Sequence, residues 1–299
     1  MSKNQPQIRW LWIAVVLLLA SIQLQTWLRP KLPAPVPAQS PTLPESAVGA
    51  RQTHPGATGS SPAADLVAEL SQKYSLELVL ADPQFPVRTF HGPITGRPAP
   101  QAEKQSFLPI FIAEWNLYPV ELIKATRLRR IILCEELAFQ GQRRFSIPDF
   151  EHDDLYFDVV RGRHSESYVR KCIHHEFFHI IDYRDDGQLY ADASWAALLP
   201  PETRYGTGGK NVQNDPTVSL LDASIAGFLN KYSMSGVEED KAEIFANMVV
   251  DHDTVAARAE TDPIIAEKAR RMAELLKTFC PQMDENFWTA AQRLNRRGQ

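Results

Sequence analysis

The distribution of charged and apolar positions divides the chain into three zones, and the first is an apolar run near the start. No residue from Trp10 to Leu28 is charged, and tryptophans stand near both ends of the run. A helix over 10–28 is about 28 Å long at about 1.5 Å per residue, just enough to cross a bilayer core of about 30 Å. Because indole rings favour the membrane interface, the pattern predicts a transmembrane helix over 10–28 behind a short tail, 1–9.

A cleaved signal sequence is the alternative interpretation of the same run. Lys3 and Arg9 suit a positive first region, and Trp10–Ala20 suits an apolar second region. No small-x-small cleavage site follows promptly, which favours an uncleaved anchor. We expect the large C-terminal part to lie outside the cytoplasm, in the periplasm or the extracellular space. Cleavage would instead give a secreted protein.

The second zone, residues 29–62, is rich in proline, with glycine, serine and alanine between the prolines. Proline fixes φ and removes a backbone donor, so this composition predicts an extended linker rather than a packed core. The third zone, 63–299, has the mixture of apolar and charged residues that is ordinary for a globular domain. We expect the linker to hold that domain away from a membrane surface.

Within 63–299 the hydrophobic pattern changes from short apolar runs to longer helical stretches. Buried strands are expected where apolar residues are contiguous, and helices where they recur every three to four positions. Helices dominate the second half, so the predicted fold class is α+β. The helices are predicted over 64–73 and 103–116, and the strands over 76–80, 130–134 and 155–160.

Composition narrows the classes of function. The chain has 299 residues, 44% of them hydrophobic and 23% charged, with a net charge of −4 and a pI near 6.1. These values carry no electrostatic signature of nucleic-acid binding, so no nucleic-acid partner is expected. Cys134, Cys172 and Cys280 are too far apart for a zinc ribbon or a CxxC motif. We expect three buried, reduced thiols, with a Cys134–Cys280 disulfide as the alternative in an oxidising compartment.

The clearest chemical motif is HExxH, at His175-Glu176-Phe177-Phe178-His179. This is the signature of zinc metalloproteases. Residues four apart lie on one face of a helix, so His175 and His179 can each place a ring nitrogen on one zinc ion. Glu176 can then reach a metal-bound water without binding the metal itself.

The motif requires a helix, and its flanks predict one. Ser165 is a suitable N-cap, and Asp185-Asp186-Gly187 marks the end. Asp182, almost one turn after His179, is a candidate to orient a ligand histidine. His174 is interpreted as a surface or supporting residue rather than a ligand.

A second, acidic helix supplies the remaining ligand. Ser235 and Glu238 form an S-x-x-E capping box, which predicts that a helix begins there. Glu239 and Glu243 then share one face of that helix, so either carboxylate can complete a His₂Glu zinc site with its fourth position open. The spacing leaves the choice between them open, and one Zn²⁺ ion is the expected cofactor.

HEFFH followed by Tyr232-x₆-Glu239-x₂-Ala242-Glu243 resembles the gluzincin peptidases of the anthrax-lethal-factor-like group. In that group a tyrosine lies seven residues before the glutamate ligand, as Tyr232 lies before Glu239. The resemblance implies Glu239 as the metal ligand and Tyr232 as the residue that supports the transition state. It also implies that Glu243 accepts a hydrogen bond from a ligand histidine.

The resemblance covers about 168–250 and implies a zincin-like domain, with a small mixed sheet, the HExxH helix and a helical second half. In such a fold the strand 155–160 would be the sheet edge beside the cleft, where a peptide substrate adds by main-chain pairing. Segment 187–226 is expected to wall that cleft. Asp240-Lys241 and Phe178 depart from the group's pattern, and these departures bear on substrate range.

The sequence therefore predicts a zinc metallopeptidase that uses zinc-activated water, with Glu176 as general base. Its partners would be a peptide or protein substrate and the membrane, and the oligomeric state stays open. Two other functions share these features: a membrane-anchored binding protein with a zincin fold and no catalysis, and a zinc amidohydrolase acting on cell-wall components. Glu176 argues against the first, because a structural zinc site needs no base. A substrate profile would distinguish the second, the cell-wall amidohydrolase, from a peptidase.

Overall fold

The computed structural model describes residues 62–161, 165–206, 208, 225–294 and 296. The predicted tail, transmembrane helix and linker lie outside these ranges, apart from Pro62, which begins the first helix. Within them, no helix joins the length to the apolar character that crossing a bilayer requires.

A mixed seven-stranded sheet occupies the first half of the described residues. The strands are β1 Glu77–Val79, β2 Val87–Thr89, β3 Gly92–Pro98, β4 Arg130–Phe139, β5 Gln142–Arg143, β6 Ser146–Asp149 and β7 Asp154–Asp158. The order across the sheet is β2-β3-β4-β7-β6, with β1 and β5 also paired to β4. The long strand β4 is parallel to β1 and β7 and antiparallel to β3 and β5.

The sequence of β4 explains its central position. Successive side chains on a strand point to opposite faces of the sheet. Ile131 and Leu133 belong to the main core beneath the helices, whereas Ile132 and Cys134 belong to a smaller apolar cluster on the other face. Because both faces are apolar, both must be covered. The strand predicted over 130–134 is confirmed, and it continues to Phe139.

The strand that precedes the HExxH helix is interior, so the prediction of a sheet edge at 155–160 is wrong. β7 pairs in parallel with β4 and antiparallel with β6, and all five of its residues are buried. The apolar run predicted the strand correctly, but the edge of the described sheet on this side is β6. That strand is short and contains Pro148, which the apolar pattern does not reveal and which suits an edge position.

Helices form most of the remaining described structure. They are α1 Pro62–Tyr74, α2 Gln101–Trp115, α3 Val120–Thr126, α4 Glu166–Asp186, α5 Ala193–Ala196, α6 Val237–Val250, α7 His252–Thr261, α8 Pro263–Phe279 and α9 Glu285–Arg293, with a 3₁₀ turn at Tyr232–Ser235. α1 and α2 confirm the helices predicted over 64–73 and 103–116. The mixture of one sheet with many helices confirms the α+β class.

The HExxH helix, α4, begins and ends where its flanking residues predict. The side chain of Ser165 accepts a hydrogen bond from the backbone N–H of Tyr168 at 3.3 Å, which satisfies one free donor of the first turn. Gly187 ends the helix with φ of 77°, a left-handed conformation that favours glycine.

The start of α6 differs from the predicted capping box. Ser235 lies in the preceding 3₁₀ turn and its hydroxyl donates to the carbonyl of Tyr232 at 2.7 Å. The N-cap is Gly236, which makes no side-chain cap. The Glu238 carboxylate instead folds back over Gly236, where a Cβ would collide with both carboxylate oxygens. The S-x-x-E pattern therefore predicted the helix correctly but placed its cap one residue early.

α4 is held in place by apolar contacts on two sides. Phe177 packs against Trp115 of α2, with ring centroids 4.7 Å apart, and Phe178 packs against Phe245 of α6 at 5.3 Å. Both phenylalanines are fully buried, and each such side chain contributes roughly 1.5–3 kcal/mol of hydrophobic free energy. The first contact fixes α4 against α2, and the second fixes it against α6, the other helix that carries a predicted metal ligand.

All three cysteines are buried and free, as predicted. Cys134 lies in β4, Cys172 in α4 and Cys280 just after α8. The alternative Cys134–Cys280 disulfide is therefore absent from this structure.

Candidate metal centre

Three predicted ligand side chains meet between α4 and the first turn of α6. The Oε2 atom of Glu239 lies 3.0 Å from Nε2 of His175 and 3.6 Å from Nε2 of His179. The centroids of the two imidazole rings are 4.9 Å apart and the ring planes meet at 85°, so the rings are edge-to-face rather than stacked. One nitrogen from each histidine and one carboxylate oxygen all lie within 4.8 Å of one another.

This donor set fits a zinc ion. Two imidazole nitrogens and one carboxylate oxygen are the ligands of His₂Glu catalytic sites. Zinc binds such atoms at about 2.0–2.2 Å, so atoms sharing one ion lie at most about 4 Å apart. The observed ligand atoms, which lie within 4.8 Å of one another, would have to move slightly closer together to meet that limit. Calcium and magnesium prefer oxygen ligands and suit it less well.

The electrostatics of the cluster favour a charged carboxylate. Burial opposes ionisation of Glu239, but hydrogen bonds and charge attraction from His175 and His179 hold its pKa well below the ordinary range. Burial likewise opposes protonation of His175, yet the facing carboxylates of Glu239 and Glu243 raise its pKa to about 10. A bound metal would take the place of that proton, because only neutral imidazole is a ligand.

Glu243, the alternative ligand, lies on the other side of His175. Its Oε1 is 3.0 Å from Nδ1 of His175, opposite the nitrogen that faces Glu239. Its Oε2 accepts from Lys171 at 3.0 Å and from Asn230 at 2.5 Å. The structure thus places Glu239 with the histidine Nε2 atoms and Glu243 on the Nδ1 side of the His175 ring.

Asp182 is buried at 2% exposure but does not bond to a ligand histidine. One oxygen is in direct contact with the ammonium of Lys241, while the other, like Nδ1 of His179, has no hydrogen-bond partner among the described residues. Burial raises the pKa of Asp182, and the Lys241 charge acts against that shift. Sequence reasoning missed Lys241, because an acidic residue near a ligand does not reveal which cation it meets.

The two predicted catalytic residues lie beside the ligands. Glu176 is the next residue after His175, and burial raises its pKa while the charges of His175 and His179 act against that shift. Tyr232 lies in the 3₁₀ turn before α6, with its ring centroid 5.9 Å from that of His175. Both side chains therefore border the cluster without supplying its ligand atoms.

His174 faces away from the metal cluster and is fully buried, so it is not a surface residue. One ring nitrogen lies 2.5 Å from the hydroxyl of Tyr118 and the other 2.9 Å from Glu114. Glu114 also accepts from Arg170 at 2.7 Å and from Arg296 at 2.8 Å. The pairing of Glu114 with Arg170 was not anticipated, because strands β4 to β7 lie between them in the sequence.

A groove beside the cluster is lined by part of the segment predicted to wall the cleft. We call it the lateral groove, and its volume is about 570 Å³. Its walls come from 190–193, 196, 205, 206 and 208, and its floor from the start of α6 at Gly236, Val237 and Glu238. Since Glu238 precedes Glu239, the groove lies next to the candidate metal centre.

Comparison with known proteins finds a zinc-binding peptidase family and a solved structure of similar fold. Residues 145–284 match the model of a family described as "Putative zinc-binding metallo-peptidase". The crystal structure of a "putative zinc-binding metallo-peptidase" from Bacteroides caccae is similar, with a TM-score of 0.52 and 16% sequence identity over 78% of this chain and 90% of that chain. At that identity the likeness shows a shared fold. No curated protein matches the sequence.

Proposed function

We propose that this protein is a zinc-dependent peptidase whose metal is held by His175, His179 and Glu239. The observation that carries the proposal is the convergence of two Nε2 atoms and Oε2 of Glu239 within 4.8 Å, with Glu176 beside them. The family match over 145–284 spans all four residues. The narrower affinity with the lethal-factor-like gluzincins rests on the spacing of Tyr232 and Glu239, since neither comparison names that group.

Zinc in this site would supply a Lewis acid that polarises a carbonyl and lowers the pKa of water. Glu176 then takes the proton of the attacking water and returns it to the leaving amine. Tyr232 donates a hydrogen bond to the oxygen on which charge develops. Glu243, whose Oε1 lies 3.0 Å from Nδ1 of His175, is placed to orient that ring by charge attraction. Asp182 makes no bond to His179, whose Nδ1 is buried without a partner in the described structure, and acts on that ring through its charge.

A peptide substrate would add to the free edge of β6 rather than to β7. β7 already has partners on both sides, whereas β6 has a described partner only on one. Main-chain pairing to a sheet edge gives affinity without requiring a particular side-chain sequence. Ser146–Asp149 therefore replaces the predicted strand as the substrate-aligning element.

The location of the domain remains part of the proposal. Because 10–28 has the length and composition of a membrane anchor, we place the peptidase at a membrane surface with its domain outside the cytoplasm. Membrane fractionation of the full-length protein, with and without residues 10–28, tests this. Loss of membrane association on deletion is the expected result.

Substitution of the base tests the proposed reaction. Glu176→Gln keeps the size of the side chain and cannot accept a proton, so peptide cleavage should fall by about 10²–10⁴-fold while zinc content stays at one ion. The measurement is cleavage of a mixed peptide library by mass spectrometry together with elemental analysis, and Glu260→Gln, on exposed α7, is the matched control. Equal cleavage by wild type and Glu176→Gln would exclude the assigned role.

A further inference from the structure

The lateral groove contains a carboxylate that the proposed reaction does not use. Glu238 is only 5% exposed, and it lines the floor of the groove. Its carboxylate folds over Gly236 and bonds to its own backbone N–H. Beyond that bond, it forms no ion pair with any described residue.

The other acids of the same helix are all matched with a basic side chain. Glu239 faces His175, Asp240 meets Lys268 at 2.6 Å, and Glu243 meets Lys171 at 3.0 Å. Buried carboxylates are costly unless they are paired, and these three pairs follow that rule. Glu238 is the exception among the acids of α6: it lines the lateral groove and has no ion-pair partner among the described residues.

The other described residues of the groove add aromatic surface and one acid that already has a cationic partner. Asp192, which also lines the groove, is 3.0 Å from the ammonium of Lys241 and shares that cation with Asp182. Tyr190 and Tyr205 contribute rings, and Tyr190 is 76% exposed. A buried carboxylate that has no ion-pair partner among the described residues and lies beside aromatic rings is a suitable environment for an organic cation, which gains from both the ion pair and the ring faces.

We propose that the lateral groove binds an ammonium or guanidinium group of the peptide substrate through Glu238. The cation is either a lysine or arginine side chain at a fixed distance from the cleaved bond or the free amino terminus of the peptide. This inference rests on the proposed peptidase function, because the groove adjoins the candidate metal centre. It assigns that site a preference for cationic peptides.

Direct binding tests the inference without requiring turnover. The protein is the full-length, zinc-loaded Glu176→Gln variant, and the probes are three tripeptides. N-acetyl-Ala-Lys-Ala-amide carries a side-chain ammonium, Ala-norleucine-Ala-amide carries a terminal ammonium, and N-acetyl-Ala-norleucine-Ala-amide carries neither. One cationic probe should bind at least about tenfold more tightly than the neutral probe, because a polar site rejects an analogue that lacks its partner group. Which probe does so identifies the source of the cation.

Adding Glu238→Gln should remove the difference between the probes, whereas adding Glu260→Gln should leave it unchanged. Equal binding of all three probes to Glu176→Gln would overturn the inference. This comparison uses no groove variant, so misfolding of Glu238→Gln cannot affect its outcome. Persistence of the difference in a folded Glu238→Gln protein would overturn the role of Glu238.

Library cleavage by wild type separates this inference from the proposed function. If no peptide is cleaved by zinc-loaded protein, the peptidase proposal fails, while the tripeptide measurement still decides whether the groove binds cations. If peptides are cleaved without enrichment of lysine, arginine or a free amino terminus at one position, the peptidase stands and the cation preference fails.

Discussion

At the residue scale, the candidate site depends on how the two ends of one imidazole are held. Nε2 of His175 faces Glu239 and Nδ1 faces Glu243, each at 3.0 Å. Nε2 is hydrogen-bonded to Glu239, whereas Nδ1 faces Glu243 without hydrogen-bond geometry. A rotation of the ring would let Nδ1–H donate to Glu243, the kind of contact that fixes the tautomer of a ligand histidine. The carboxylate of Glu243 should therefore affect metal affinity although it is not positioned as a ligand.

Tyr232 provides a prediction at the same scale. Tyr232→Phe should lower kcat by roughly 10²–10³-fold, the usual effect of losing one donor to a developing oxyanion. KM and zinc content should change little, because the ring that packs near His175 is retained. Steady-state kinetics on a peptide from the library screen measures this. Tyr183→Phe removes a hydroxyl from the last turn of α4, where the ring packs against Phe150, and serves as control; equal kcat values for both variants would contradict the role.

At the scale of elements, an ion chain connects α4, α6 and the segment before α5. The ammonium of Lys241 on α6 contacts Asp182 on α4 and lies 3.0 Å from Asp192, the N-cap of α5. Lys241 is 4% exposed, so it could not stay charged without these partners. Asp240 and Lys241 are thus both buried in ion pairs that position α6.

Removing the central cation should be strongly destabilising. Lys241→Met leaves two carboxylates near each other without a cation, so the free energy of unfolding should fall by about 3–5 kcal/mol. Urea denaturation measures the change. Lys241→Arg should recover part of the loss, and Lys277→Met, on the exposed side of α8, should stay within about 0.5 kcal/mol of wild type. A loss below about 1 kcal/mol for Lys241→Met would show that the chain does not stabilise the fold.

The buried Glu114 network predicts a loss of stability in acid. Burial by itself would raise the pKa of Glu114, but His174 and Arg296 hold it well below the ordinary 4.5. A carboxyl with a lowered pKa stabilises the folded state above its unfolded pKa and loses that contribution as pH falls. Stability should therefore decline as pH drops below about 4.5. Glu114→Gln should flatten this decline in urea titrations between pH 3 and 7, and an unchanged slope would contradict the assignment.

At the scale of the whole molecule, the sequence predicted local structure better than assembly. Ser165 and Gly187 mark the ends of α4 because caps act through bonds within one turn. HExxH predicted two convergent histidines for the same reason, since helical spacing alone brings them together. These features depend on neighbours in sequence, so a pattern can reveal them.

Features that depend on long-range pairing were missed or wrong. The prediction that 155–160 is a sheet edge was wrong because β6, a four-residue strand with a proline, pairs with β7. The partners of Asp182 and His174 were not anticipated, because Lys241 and Glu114 lie about 60 residues away in the chain. Between Glu239 and Glu243, spacing left the choice open, and only the packing of α6 against α4 places one on each side of His175.

Metal content tests the central claim most directly. Full-length wild type, Glu239→Ala and Glu243→Ala are purified without chelator and analysed for zinc by elemental mass spectrometry, with circular dichroism to verify folding. We expect one zinc in wild type, none retained in Glu239→Ala, and affinity reduced by about 10–100-fold in Glu243→Ala. Zinc that survives Glu239→Ala but is lost in Glu243→Ala would contradict the ligand assignment. A folded wild type that takes up no zinc would contradict the metallopeptidase itself.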